Sequence, residues 1–216
     1  MGLNFDTVLI ARNEAETLPR LLQSLEAFRD QGGAVILVDT GSTDGTAEVA
    51  RNWGCKVEEV GDRFRRTITA DEAQQINARF VVEGEQDVVA AGDSLFDYSS
   101  ARNYAASLAS NDWVWMPDCD EVFTSLDLDA IKKIMEDPTV DRVSYDFVFA
   151  HDIMGLPTIS FLHSKCYRRS KMRWCGIVHE ILQDIPYAVH EGLPAPAGDD
   201  SEESSSSARE ETWSEK

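Results

Sequence analysis

The chain lacks a C-x-x-C pair, a glycine-rich phosphate loop, a basic-then-apolar leader and any apolar run of membrane-spanning length. Each absence removes a class. Cys55, Cys119, Cys166 and Cys175 have no paired zinc or thiol-redox spacing, so they read as core fillers in a reducing compartment, although Cys166 and Cys175 lie near enough for a disulfide. Gly41 and Gly45 form neither G-x-G-x-x-G nor G-K-[ST], which sets aside dinucleotide binding and ATPase chemistry. Met1-Gly-Leu-Asn-Phe-Asp6 runs directly into a strand pattern, so a cytoplasmic location without a transmembrane segment is the default expectation. No internal repeat is visible.

Positive charge is also scarce. Twenty Lys and Arg face 39 Asp and Glu, for a net charge of −19. Seven acids and two bases fall in residues 197–216, which leaves the first 196 residues at −14. Such a field repels nucleic acid and anionic membranes. It also repels a nucleotide diphosphate unless a cation bridges the two.

What is present alternates. The 216 residues, 43% of them hydrophobic, suit one α/β domain with a sizeable core. Thr7–Ile10 reads as a buried strand, Ala15–Phe28 as an amphipathic helix with Pro19 in its first turns, and Val35–Val38 as a second strand. Thr46–Trp53 follows as a helix capped by Ser42 and Asp44 and closed at Gly54, then Lys56–Val60 as a third strand. This is the alternation of a parallel sheet covered by helices, whose strand-to-helix turns hold ligands. Residues 61–97 read as an insertion or lid with one helix at Asp71–Val82. Further elements are a helix at Ser99–Ala109 capped by Ser99 or Ser100, a strand at Trp113–Met116 and a helix at Leu126–Met135. Val140–Ala150 is a long strand; Thr158–Arg168 and Met172–Ile177 read as an antiparallel pair. The domain is expected to span 1–191, and 192–216 to be a disordered acidic tail or linker.

Two apolar runs stop abruptly at carboxylates. Val35-Ile-Leu-Val38 ends at Asp39 and Trp113-Val-Trp-Met-Pro117 ends at Asp118-Cys119-Asp120-Glu121. In an extended segment residues two apart share a face, so Asp118 and Asp120 can grip one Mn²⁺ or Mg²⁺ ion that carries a diphosphate. Asp39, followed by small residues, can accept from ribose hydroxyls or a base N–H. Arg102 either counters phosphate or ties down Asp118 or Asp39. Trp174, Phe161 and Tyr167 can form a sugar platform or simply pack in the core.

These motifs, in order, resemble a family 2 glycosyltransferase of the GT-A fold. The resemblance rests on Ala11-Arg12-Asn13-Glu14, Val38-Asp39-Thr40-Gly41-Ser42-Thr43-Asp44, Ser100-Ala101-Arg102-Asn103, Asp118-Cys119-Asp120-Glu121 and Val178-His179-Glu180, and covers roughly residues 5–185. It implies a Rossmann-like mixed sheet, with a parallel amino-terminal half flanked by helices and an antiparallel carboxyl-terminal acceptor side. It further implies inverting, metal-dependent transfer of a sugar from a nucleotide-diphosphate-sugar, uridine preferred, to a sugar, lipid or protein acceptor. Ala11, Asn13, Glu14, Asp39, Arg102 and Asp118 would then meet the donor. Asp118 and Asp120, with His179, would hold the metal. Glu180 is the favoured base, with Glu121, Asp152 and His179 as rivals and Glu121 more suited to bracing its loop. The competing readings are a non-catalytic carbohydrate-binding or assembly module of the same fold and a nucleotidyltransferase. The second normally wants a glycine-rich, basic loop where Ala11–Glu14 stands.

Overall fold

A computed structural model describes residues 3–82, 84–177 and 180–185, together with the backbone of 209–211. Its seven-stranded sheet is built around β1 (Phe5–Ala11), which pairs in parallel with β2 (Val35–Asp39) on one side and β6 (Trp113–Trp115) on the other. β3 (Lys56–Glu59) continues the parallel half beyond β2. On the other flank β8 (Pro157–Arg168) runs antiparallel to β6 and to β7 (Val140–His151). The mixed sheet, parallel first and antiparallel later, is the architecture expected from the sequence. Outside β7 lies β11 (Arg209–Glu211), in parallel; the rest of the proposed tail is outside the described residues.

Alternation along β1 divides the core in two. Phe5, Leu9 and Ala11 point to one face, against the helices α1 (Leu18–Ser24), α2 (Glu26–Asp30), α3 (Thr46–Trp53) and α6 (Leu128–Met135). Val8 points to the other face, against α5 (Tyr98–Ser107) and β9 (Met172–Cys175). Because both faces are covered, polar ligands meet the sheet at its strand ends. There β1, β2 and β6 finish side by side, with Ala11 opposite Asp39 in register.

Several local readings need correction. The first helix is two, because Leu25 leaves helical geometry at φ −95°, ψ 7°. The residue before α3 is Gly45, at φ 92°, and neither side chain caps as expected: Asp44 accepts from Thr46 N–H, whereas Ser42 accepts from the backbone of Asn13. The cap of α5 is Asp97, which accepts the N–H of Ser100 at 2.9 Å. β9 pairs with β10 (Ile181–Asp184) rather than with β8. All four cysteines are buried thiols, and no disulfide joins Cys166 to Cys175. Burial raises the Cys55 thiol to about 12.

The stretch from 61 to 97 carries its own frame. β4 (Arg65–Thr67) and β5 (Ser94–Phe96) pair antiparallel around α4 (Ala70–Phe80). Thr69 and Glu72 close a reciprocal capping box at the start of α4. Backbone hydrogen bonding from Thr69, aided by Arg66, holds the Glu72 carboxyl down to about 2. No described helix is long and apolar enough to cross a membrane.

Candidate active site

Two loops are laced together at the sheet edge. Asn13, the one non-glycine residue with positive φ (57°) among the described residues, accepts Thr43 N–H at 2.8 Å through its side chain. Its own N–H donates to Ser42 at 2.9 Å, Glu14 N–H to Thr46 Oγ1 at 2.8 Å and Ala15 N–H to Asp44 at 3.0 Å. Hydrogen bonds from Thr46 and Ala15 hold the Asp44 carboxyl below its ordinary range. Asn13 is therefore a loop brace in this structure. At Gly41, φ is +96° and a Cβ would come within 3.3 Å of Arg12 Nη1. Both facts favour glycine there. Arg12 itself donates to Thr40 O at 2.6 Å and pairs with Asp62 at 2.9 Å.

Asp39 is 3% exposed. Its Oδ1 accepts the N–H groups of Gly41 and Ser42 at 2.9 and 2.8 Å, while Oδ2 is buried without a hydrogen-bond partner. The adjoining cleft, about 390 Å³, is lined by Ala11, Arg12, Glu14, Thr40, Arg102, Asp118 and Asp120. Arg65, Phe96 and Tyr98 complete its wall from the 61–97 stretch and the start of α5. The sequence offered no signal for those three, because a lid residue is recognised by what it folds over.

Asp118 and Asp120 do not lie in an extended segment. Glu121 N–H donates to Asp118 O at 3.1 Å, a turn that gives the two carboxylates separate surroundings. Asp120 is exposed at the cleft, whereas Asp118 spends one oxygen on Arg102 at 2.7 Å and the other on Lys165. Among the described residues no three His, Cys, Asp or Glu side chains gather as a metal-binding group. His179 lies outside the described residues. The chemistry of the remaining donors still suits a hard divalent ion: Asp120 is an available carboxylate with Glu14 on the same wall. Burial and then the charges of Glu14, Asp118 and Asp120 push the Cys119 thiol far up, which records a concentrated negative field at this turn.

Behind the turn lies a buried ion network. Arg102, on α5, has a side chain only 7% exposed and pairs with both Asp118 and Glu180 at 2.7 Å. Its guanidinium stacks over Trp174 at 5.0 Å. Burial works against the Arg102 charge, but the two carboxylates outweigh it and raise its pKa. Burial likewise opposes ionisation of Asp118, yet Arg102 and Lys165 hold its carboxyl below the ordinary range. Lys165, on β8, also reaches Glu121 at 2.6 Å, and Glu121 accepts from Tyr145 Oη at 2.9 Å. Burial, with the Glu121 charge behind it, raises the Tyr145 phenol and keeps it a donor. Burial followed by Lys165 depresses His163, which favours its neutral form.

The base candidates separate accordingly. Glu121 is buried behind Lys165. Asp152 accepts the N–H groups of Met154 and Leu156 in the β7–β8 turn. Glu180 gives Oε1 to Arg102 and lines a second cavity of about 430 Å³, which also has Arg102 and Asp118 in its wall. Tyr167, 1% exposed, is core rather than sugar platform; Trp174, 5% exposed and hydrogen-bonded to it, lines the second cavity, and Phe161 is exposed on β8. Lys165 was missed because a lysine in a strand signals nothing until its partners, 47 and 44 positions away, are known.

Residues 6–65 match the model of Glycosyl transferase family 2. A TPR repeat-containing protein of Synechococcus elongatus is 26% identical over 186 residues, 86% of this chain but only 37% of that protein. The chain thus spans little more than a third of that relative. Among solved structures, Staphylococcus aureus TarS 1–349 in complex with UDP is similar at 19% identity and TM-score 0.43, over 65% of this chain and 34% of that one. The mannosyltransferase PcManGT of Pyrobaculum calidifontis, in complex with GDP-Man and Mn²⁺, is similar at 22% identity and TM-score 0.42, over 67% and 35%.

Proposed function

We propose that the chain transfers a sugar from a nucleotide-diphosphate-sugar to a hydroxyl acceptor, with inversion at the anomeric carbon. The observation that carries this reading is the meeting of two cavities at one ion pair. The cleft beside Ala11, Thr40 and Asp120 and the cavity beside Glu180 share Arg102 and Asp118 as their common wall. A donor in the first would present its anomeric carbon to a nucleophile in the second. The partnerless Oδ2 of Asp39 supports a nucleoside at the β2 end, since a ribose hydroxyl or base N–H would satisfy a buried acceptor that is otherwise costly. Uridine remains the preferred base, by resemblance.

Asp120, with His179 as a further ligand, would hold Mn²⁺ or Mg²⁺, and the ion would supply Lewis-acid stabilisation of the departing diphosphate. Asp118 acts here as the anchor of Arg102 and Lys165 and faces the donor from that position. Glu180 takes the acceptor proton: Oε1 is held by Arg102, which orients the carboxylate and leaves Oε2 for the incoming hydroxyl. Glu121 braces Lys165 at a distance from the reaction.

The test is donor hydrolysis without added acceptor, across UDP- and GDP-sugars with and without Mn²⁺. Turnover should require the ion and fall about a hundredfold in Asp120→Ala, about 2.7 kcal/mol of lost Lewis-acid stabilisation. Metal-independent turnover that survives Asp120→Ala would remove the ion from the proposal, and no turnover with any donor would remove the transferase.

A further inference from the structure

The larger cavity has a polar floor and an apolar mouth. Lys165, Arg102, Asp118 and Glu180 form the floor and are ion-paired among themselves, and Arg142 and His163 also line the cavity. At the mouth stand Leu162 and Ile181, which line the cavity yet are 42% and 55% exposed. Apolar side chains left in water at the rim of a polar cavity gain most from a ligand that covers them while its polar end enters.

We infer that this cavity takes an amphipathic acceptor, with its hydroxyl-bearing head on the Glu180 floor and an alkyl or similar apolar portion against Leu162 and Ile181. The inference rests on the transferase reading for the word acceptor, but binding is testable without turnover. A wholly polar glycan would leave the rim bare. An anionic lipid surface is opposed by the net charge of −19.

The probes are methyl and octyl glucoside, the latter kept below its micelle concentration, with binding followed by amide hydrogen exchange and by titration. Octyl glucoside should protect residues 160–165 and 181–185 and bind roughly tenfold more tightly than methyl glucoside, the effect of burying about two methylenes. Leu162→Ser with Ile181→Ser should erase that preference. Ile153→Ser should leave it intact, because Ile153 is exposed at the far turn of the hairpin, away from the cavity. Equal binding of the two glucosides, or equal loss in Ile153→Ser, would overturn the inference. So would protection of the same amides by raising protein concentration alone, which would assign the rim to a second copy of the chain. If octyl glucoside binds as described while no donor is ever hydrolysed, the amphipathic site stands and the transferase reading falls.

Discussion

Arg102→Ala should cost the protein about 3–5 kcal/mol, the range for deleting one partner of a buried ion pair, and lower its melting temperature by roughly 10 °C. The guanidinium serves two carboxylates at once, each at 2.7 Å, and covers Trp174. Without it Glu180, whose side chain is 13% exposed, loses its counter-charge inside the protein, whereas Asp118, at 41%, loses one beside solvent and contributes the smaller share. Arg102→Lys should recover part of the stability but little of the donor hydrolysis, since an ammonium cannot span Asp118 and Glu180 from one planar fork. Thermal unfolding and hydrolysis measured on the same preparations separate the two effects. Full hydrolytic activity in Arg102→Lys would show that the bridging geometry is dispensable.

Lys165→Met is the second large effect. It keeps the side chain's bulk and removes the charge between Asp118 and Glu121, again at about 3 kcal/mol or more. Adding Glu121→Gln should return part of that loss, and a double-mutant cycle should give a coupling of about 1–3 kcal/mol. The pH dependence has a definite sign. Asp118 has its folded pKa below the ordinary 3.8, so its contribution is complete above that value and fades as pH falls through the lower one. The advantage of wild type over Lys165→Met should therefore be widest near neutrality and narrow below about pH 4. Denaturant melts at stepped pH read this directly. An advantage that grew in acid would contradict the ion-pair account.

What the sequence could reveal followed from locality. β1, β2 and β6 were legible because a buried parallel strand is an unbroken apolar run, and its end at Asp39 or Asp118 marks where burial stops. Boundaries slipped where short-range rivals compete: Asp97, Ser99 and Ser100 can each cap α5, and only the folded backbone chooses Asp97. The extended geometry assumed for Asp118-Cys119-Asp120 failed because the turn to Glu121, pulled inward by Lys165, replaces it. Lys165 joins the antiparallel half to the parallel half across the sheet, a long-range fact without a local pattern. Arg65 and Phe96 reach the cleft only because β4 and β5 close on each other. The positions of the strand ends were thus readable, and the long-range contacts that hold them together were not.

The most direct check of the nucleotide cleft is thermal unfolding with UDP and with GDP, each with and without Mn²⁺, on wild type and Asp120→Ala. One diphosphate at about a hundredfold over its Kd should stabilise wild type by about 2.7 kcal/mol, several degrees in melting temperature, only when Mn²⁺ is present and only while Asp120 is intact. Absence of any shift with both diphosphates, or an equal shift in Asp120→Ala without the ion, would contradict it.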